Sequence, residues 1–155
     1  MEIAPLEEHP EHIPTLARWH LAEWGHYSTG RTQESTEERL RRHAARDGIP
    51  LTMVALEAGE LVGSAALVWN DMKTRPEIRP WLADVVVDPA WRRRGIGSKL
   101  VRRLVERARE LGVEILYLYT PDQDRLYASL GWETVGRVEY RDEEVVLMKI
   151  EPART

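Results

Sequence analysis

The sequence predicts an α+β domain, and three features of its patterning carry that prediction. Two β-rich runs, residues 51–56 and 61–69, flank the turn signal Ala58-Gly59-Glu60 and read as an antiparallel hairpin. Residues 81–119 run strand, helix, strand, a βαβ unit whose two strands lie parallel. A second hairpin, 132–140 and 145–150 around Arg141-Asp142-Glu143-Glu144, closes the chain. Strands therefore precede and interrupt the helices, the pattern of a mixed sheet with helices packed on it.

Each element follows from local composition. Ile13, Leu16, Ala17, His20, Leu21 and Trp24 recur at helical spacing within 10–24, with Pro10 suited to a first turn. Residues 36–42 read as a second, strongly charged helix, and the polar stretch 25–30 between the two helices is a mobile-loop candidate. After a loop at 70–80 with two prolines, 81–87 is a nearly continuous apolar run, as in a central strand covered on both faces. Ile96, Leu100, Val101, Leu104, Val105, Ala108 and Leu111 then form one helical stripe that Gly112 stops. Residues 114–119 read as a strand, joined by Thr120-Pro121-Asp122 to a short helix ending near Leu130-Gly131.

Composition narrows the functional classes. With 155 residues the chain is expected to form one domain, 1–155, large enough to bury a core without metal or disulfide staples. It has no cysteine, so thiol nucleophiles and cysteine-held zinc are excluded, and its five histidines show no metal-ligand spacing. A formal charge of -4 and a pI near 5.8 argue against a general nucleic-acid-binding surface. No apolar run approaches the roughly 18 residues of a membrane span. Residues 1–5 carry no signal-peptide pattern, so a soluble, cytoplasmic protein without membrane association is expected.

The stretch Arg92-Arg93-Arg94-Gly95-Ile96-Gly97, between the 81–87 strand and the long helix, carries the most chemistry. Gly95 and Gly97 allow positive φ and a close approach of an anion to backbone N–H groups. The helix start adds free donors and a positive dipole end, and the arginines add permanent charge. The run therefore reads as a pyrophosphate cradle, against the alternative of a solvated basic surface. A plain nucleotide-binding domain is disfavoured, because the third glycine of the dinucleotide fingerprint and the Lys-Ser/Thr ending of a P-loop are both missing.

These residues match in full the Gln/Arg-x-x-Gly-x-Gly/Ala acyl-CoA motif of the GNAT superfamily of N-acetyltransferases. Leu126-Tyr127-Ala128-Ser129-Leu130-Gly131-Trp132 resembles the same family's Leu-Tyr-x-x-Leu-Gly-Phe segment, with Trp in the last place. The resemblance spans most of the chain. It implies the GNAT fold: a mixed twisted sheet of six to seven strands, about four helices, and a splay after the fourth strand. It also implies acetyl-CoA as cosubstrate and a primary amine, on a small molecule or a peptide, as acceptor. Pantetheine is then expected along Val85, Val86 and Val87. The pyrophosphate is expected at Arg92, Arg93, Arg94, Gly95, Ile96, Gly97 and Ser98, with Gln123 and Tyr127 as further contacts. The loop 120–123 is shorter than in many relatives and lacks their usual Asn. The family often forms homodimers through its C-terminal strands.

Such a transfer needs an acid and a base. A lysine-like amine is about three pH units from its neutral form at pH 7. Asp84, the acid that interrupts the apolar strand, is the candidate base or water-orienting group, or else a structural carboxylate. By its place in the motif Tyr127 matches the family's general acid for the departing thiolate; the alternative is a packed aromatic. A backbone N–H near Val85 or Val86 is placed to meet the developing oxyanion. Trp24, His26 and Tyr27 lie where the family builds its acceptor pocket, although an apolar helix face also accounts for Trp24. Trp69, Asn70 and Asp71 end a strand where an acid can hold a cationic amine, and turn chemistry accounts for Asn70 and Asp71 equally well. The overall excess of acids favours a cationic acceptor, while the arginines of 39–46 favour an acidic peptide. An acyl-CoA-binding sensor without turnover is the competing class.

Overall fold

In the computed structural model, which describes residues 1–44 and 47–155, the chain forms one seven-stranded mixed sheet with four α-helices. The strands are β1 (Glu2–Pro5), β2 (Leu51–Glu57), β3 (Glu60–Val68), β4 (Trp81–Val87), β5 (Leu116–Thr120), β6 (Glu133–Tyr140) and β7 (Glu143–Ile150). The helices are α1 (Ile13–Trp24), α2 (Gln33–Arg42), α3 (Ile96–Glu110) and α4 (Asp124–Ser129). The sheet order is β1-β2-β3-β4-β5-β7-β6, antiparallel except for β4 beside β5.

The two hairpins turn on backbone chirality. Ala58 and Gly59 (φ 50° and 82°) join β2 to β3, and Arg141 and Asp142 (φ 53° and 62°) join β6 to β7. Two consecutive positive φ values match the twist of the paired strands. The second turn is therefore two residues long, and Glu143 and Glu144 belong to β7 rather than to the expected four-residue connection. Pro10 opens a separate 3-10 turn ahead of α1. Thr32 caps α2: its hydroxyl accepts from the Ser35 N–H, and the Ser35 hydroxyl oxygen accepts from the Thr32 N–H, both at 3.0 Å. β1 has no counterpart in the sequence reading. Four residues ending in proline are too short for a periodic signal, and pairing with β2 alone makes them a strand.

Helix α3 lies on one face of the sheet, burying Leu100, Val101, Leu104 and Ala108 against β2, β3 and β5 residues such as Met53, Leu67 and Leu116. Each large aliphatic side chain among them contributes roughly 1.5–3 kcal/mol on burial. Gly63 of β3 lets the helix approach closely: a Cβ there would stand 3.1 Å from both Leu100 Cδ1 and the Val86 carbonyl oxygen. On the other face, α1 and α2 cover Val54, Leu56 and Val86, while Met72, from the 70–80 loop, joins Trp81 and Tyr140 beside them. The tryptophans and tyrosines thus supply the aromatic packing of a chain without phenylalanine.

Candidate active site

The centre of the sheet is opened by two irregularities. β4 and β5 pair only at Trp81 and Tyr117, and beyond that point the strands part. In β4, Ala83 stands opposite Ala66 and Val86 opposite Ser64, so Asp84 and Val85 together face Ala65. This is a β-bulge, with Asp84 at φ 56°. Bulges re-aim side chains and interrupt pairing. The apolar run at 81–87 is thus a broken central strand rather than a regular one.

A cleft of about 490 Å³ fills the gap. Val85, Leu118, Thr120, Gln123 and Tyr127 line its inner part, while Trp24, Tyr27, Asn70 and Asp71 line the end toward α1 and the strand ends. Asp84 lies between them. The structure therefore gathers both expected catalytic residues and four of the six expected acceptor residues around one space. His26 and Trp69 do not line it. The His26 ring packs on Tyr27 at 4.1 Å, and the Trp69 indole N–H donates to the Ile49 carbonyl at 3.0 Å while Arg79 lies over its ring.

The expected cradle stands at the start of α3. Gly95 takes the left-handed conformation, φ 77°, directly before Ile96. Gly97 is already helical, and the second positive φ falls on Arg93, at 66°, so the glycines do not share the role that spacing gave them. The Lys99 N–H is bonded to the Gly95 carbonyl at 3.1 Å, which leaves the N–H groups of Ile96, Gly97 and Ser98 as the open donors of the first turn. The three arginines differ: Arg92 donates to the Val87 carbonyl at 3.2 Å and pairs with Glu23 at 3.7 Å, Arg94 stacks over Trp91, and Arg93 is exposed. Asp88 accepts from the Ala90 N–H and shapes the turn at the strand end. Of the three valines, Val85 lines the cleft, Val86 is buried toward α1 and α2, and Val87 lies against Gly97.

Electrostatics separate the two acids. Asp84 pairs with Arg39 at 3.1 Å, its side chain 15% exposed. Burial works against its charge, but Arg39 and, more weakly, His20 and His43 outweigh it and hold its carboxyl below the usual range. Among the described residues Asp71 forms no ion pair. Burial, reinforced by the charge of Asp84, pushes it up to about 7 against the pull of Arg39 and Arg141. Burial also lowers His20 to about 4 and raises Tyr127 to about 12. Tyr127 stacks edge-on against Trp132, and Thr120 accepts from the Gln123 N–H at 3.0 Å, which turns the short 120–123 loop into α4.

Sequence reasoning missed Arg31, Arg39, Lys73, Tyr140, Arg141 and Glu143 as cleft residues. They come from a connection, a helix, a loop and the β6–β7 hairpin, and carry no local motif. The charge of the whole chain is not that of the cleft, which carries the cationic side chains Arg31, Arg39, Lys73 and Arg141 beside the carboxylates Asp71, Asp84 and Glu143. Of the 39–46 arginines, Arg39 serves the site, Arg41 and Arg42 pair with Glu37 and Glu38, and Arg46 lies outside the described residues. Among the described residues no group of three His, Asp or Glu side chains is placed to hold a metal, and no helix is long and apolar enough to cross a membrane.

Comparison with known proteins places this architecture. The sequence profile of the acetyltransferase (GNAT) family matches residues 13–132, and the chain belongs to that family. It is 37% identical over 105 residues to glucosamine 6-phosphate N-acetyltransferase 1 of Oryza sativa subsp. japonica, an alignment covering 65% of this chain and 64% of that protein. The chain thus spans less than two thirds of that relative. Among solved structures, it superposes on an aminoglycoside 6'-N-acetyltransferase complexed with coenzyme A with a TM-score of 0.77 at 18% identity, covering 98% of this chain and 97% of the other. A ribosomal-protein-alanine N-acetyltransferase from Brucella melitensis gives 0.75 at 21% identity, with 97% and 99% covered. These neighbours share the fold.

Proposed function

We propose that the chain transfers the acetyl group of acetyl-CoA to a primary amine by direct attack in a ternary complex. The observation that carries this reading is the cleft in the β4–β5 gap, lined by Asp71, Asp84 and Tyr127 among others, beside a strand β4 that runs on through Val87, packed against Gly97, to the glycine turn at the start of α3. The left-handed Gly95 and the open N–H groups of Ile96, Gly97 and Ser98 fit a pyrophosphate, and the gap between β4 and β5 fits an extended pantetheine arm. When bound, acetyl-CoA supplies a thioester whose carbonyl carbon accepts the amine nitrogen as the C–S bond breaks.

The protein's own groups divide the remaining work. Asp84, kept ionised by Arg39, draws and orients the amine. Asp71, poised near neutrality, has the basicity to take the proton that the amine loses. Tyr127 keeps its proton throughout the neutral range and offers it as a hydrogen bond to the departing sulfur. Its acidity is far below that of a thiol near 8.5, so stabilisation by hydrogen bonding outweighs complete transfer. Holding both reactants in one cleft lowers the barrier by several kcal/mol.

An acetyl-CoA consumption screen over small amines, antibiotics and peptides, with the product identified by mass, tests this reading. Acetylated product is expected, and Tyr127→Phe should cut turnover by about tenfold or more while leaving CoA affinity nearly unchanged. Tight CoA binding with no transfer to any amine would overturn the enzyme in favour of a sensor.

A further inference from the structure

The acceptor end of the cleft is basic although the chain as a whole carries a formal charge of -4. Its acids are already engaged: Asp84 by Arg39 at 3.1 Å, Glu143 by the Tyr27 hydroxyl at 3.1 Å, while Asp71 is only partly ionised near neutrality. Arg31, Lys73 and Arg141 also line this space, and among the described residues none of the three has a carboxylate partner. They come from three places in the fold. Arg31 lies between α1 and α2. Lys73 follows β3 on a segment fixed by its own N–H, which donates to the Tyr140 hydroxyl at 3.1 Å. Arg141 sits in the β6–β7 turn with its guanidinium 5.2 Å from the Tyr27 ring centre and 5.0 Å from that of Tyr140.

Like charges converging on one cleft repel one another: burial, Arg39 and, more weakly, Arg141 disfavour the charge of Arg31, and Asp84, already paired with Arg39, offsets this only in part. An anion arriving there relieves both penalties and gains charge-assisted hydrogen bonds. The CoA pyrophosphate does not account for these cations, because its expected cradle, residues 92–98, contributes nothing to this lining. The volume also suits a small ligand.

We propose that Arg31, Lys73 and Arg141 form a subsite for an anionic group, phosphate or carboxylate, carried by a small-molecule acceptor amine. The acceptor is then an amine with its own negative charge, not a polycation, and Asp84 and Asp71 meet the amino end. This inference rests on reading the cleft as the acceptor site of an acetyltransferase.

Calorimetric binding to the CoA-loaded protein, run alongside acetyl transfer, tests it with matched probes: glucosamine 6-phosphate against glucosamine, and γ-aminobutyrate against its amide. At least one anionic member should bind about tenfold more tightly than its neutral counterpart. That preference should collapse in the Arg31→Gln/Arg141→Gln double variant, and in Lys73→Gln, an exposed position that keeps the test open if the double variant does not fold. Equal binding within both pairs, or a preference that survives the substitutions, would overturn the subsite. So would a preference found only with a peptide whose first residue is Asp over one beginning with Asn. Anion preference without acetyl transfer upholds the subsite and sinks the transferase reading; transfer without anion preference does the reverse.

Discussion

Asp84 and Asp71 carry the same functional group and line one cleft, yet their surroundings drive them apart. Arg39 keeps the first charged, and the first, together with burial, keeps the second partly protonated. A base with a raised value is inactive below it and active above it, so kcat/KM is expected to rise with pH through about 7. Asp71→Asn should lower kcat/KM by about a hundredfold and remove that rising limb. An unchanged pH profile in the variant would show that Asp71 is not the proton acceptor. At this scale the sequence is legible where a motif fixes the place, as at Tyr127. It is partly legible at Asp71, an acid at a strand end where a cationic amine can be held. It is silent on the partnership of Asp84 with Arg39, because that contact joins α2 to β4 across 45 positions of sequence.

Among the elements, the α3 start and the β4 bulge do most to shape the site. Among the described residues, chain neighbours aside, no atom lies within 4 Å of the place a Cβ on Gly95 would occupy, so the cost of a methyl group there is conformational. At φ 77° an L-residue is disfavoured by about 1–2 kcal/mol. Gly95→Ala is therefore expected to lower stability by about that amount in denaturant melts and to weaken CoA binding more than acceptor binding. Equal loss for both ligands would deny the cradle its specific role. The glycines and the helical stripe announce this element in the sequence. The bulge gives no such notice: an aspartate in an apolar run is visible, but its left-handed conformation follows from the mismatch of one β3 residue, Ala65, against two of β4. Strand β1 is hidden for a related reason, since among the described residues β2 is the one strand that pairs with it.

For the molecule as a whole, the polar cluster behind the bulge makes stability depend on pH. Burial holds both His20 and His43 down to about 4, whereas an unfolded chain protonates histidine near 6.5. The unfolded state therefore gains protons first as pH falls. Stability present above pH 6.5 is lost progressively toward pH 4, on the order of 3 kcal/mol for a fully desolvated imidazole such as His20, which is 2% exposed. Thermal melts should show Tm falling across that window, and His20→Leu should flatten the fall. A variant with the same acid slope as the native chain would place the sensitivity elsewhere. The sequence by itself determined the α+β class, the order of the main elements and the place of the glycine turn at the start of α3, because periodicity, turn chemistry and a contiguous glycine motif are local properties. Tertiary structure alone decided the parting of β4 from β5, the pairing of Asp84 with Arg39 and the gathering of Arg31, Lys73 and Arg141. Those depend on side chains far apart in sequence, whose charges interact only once the sheet has brought them into one desolvated space.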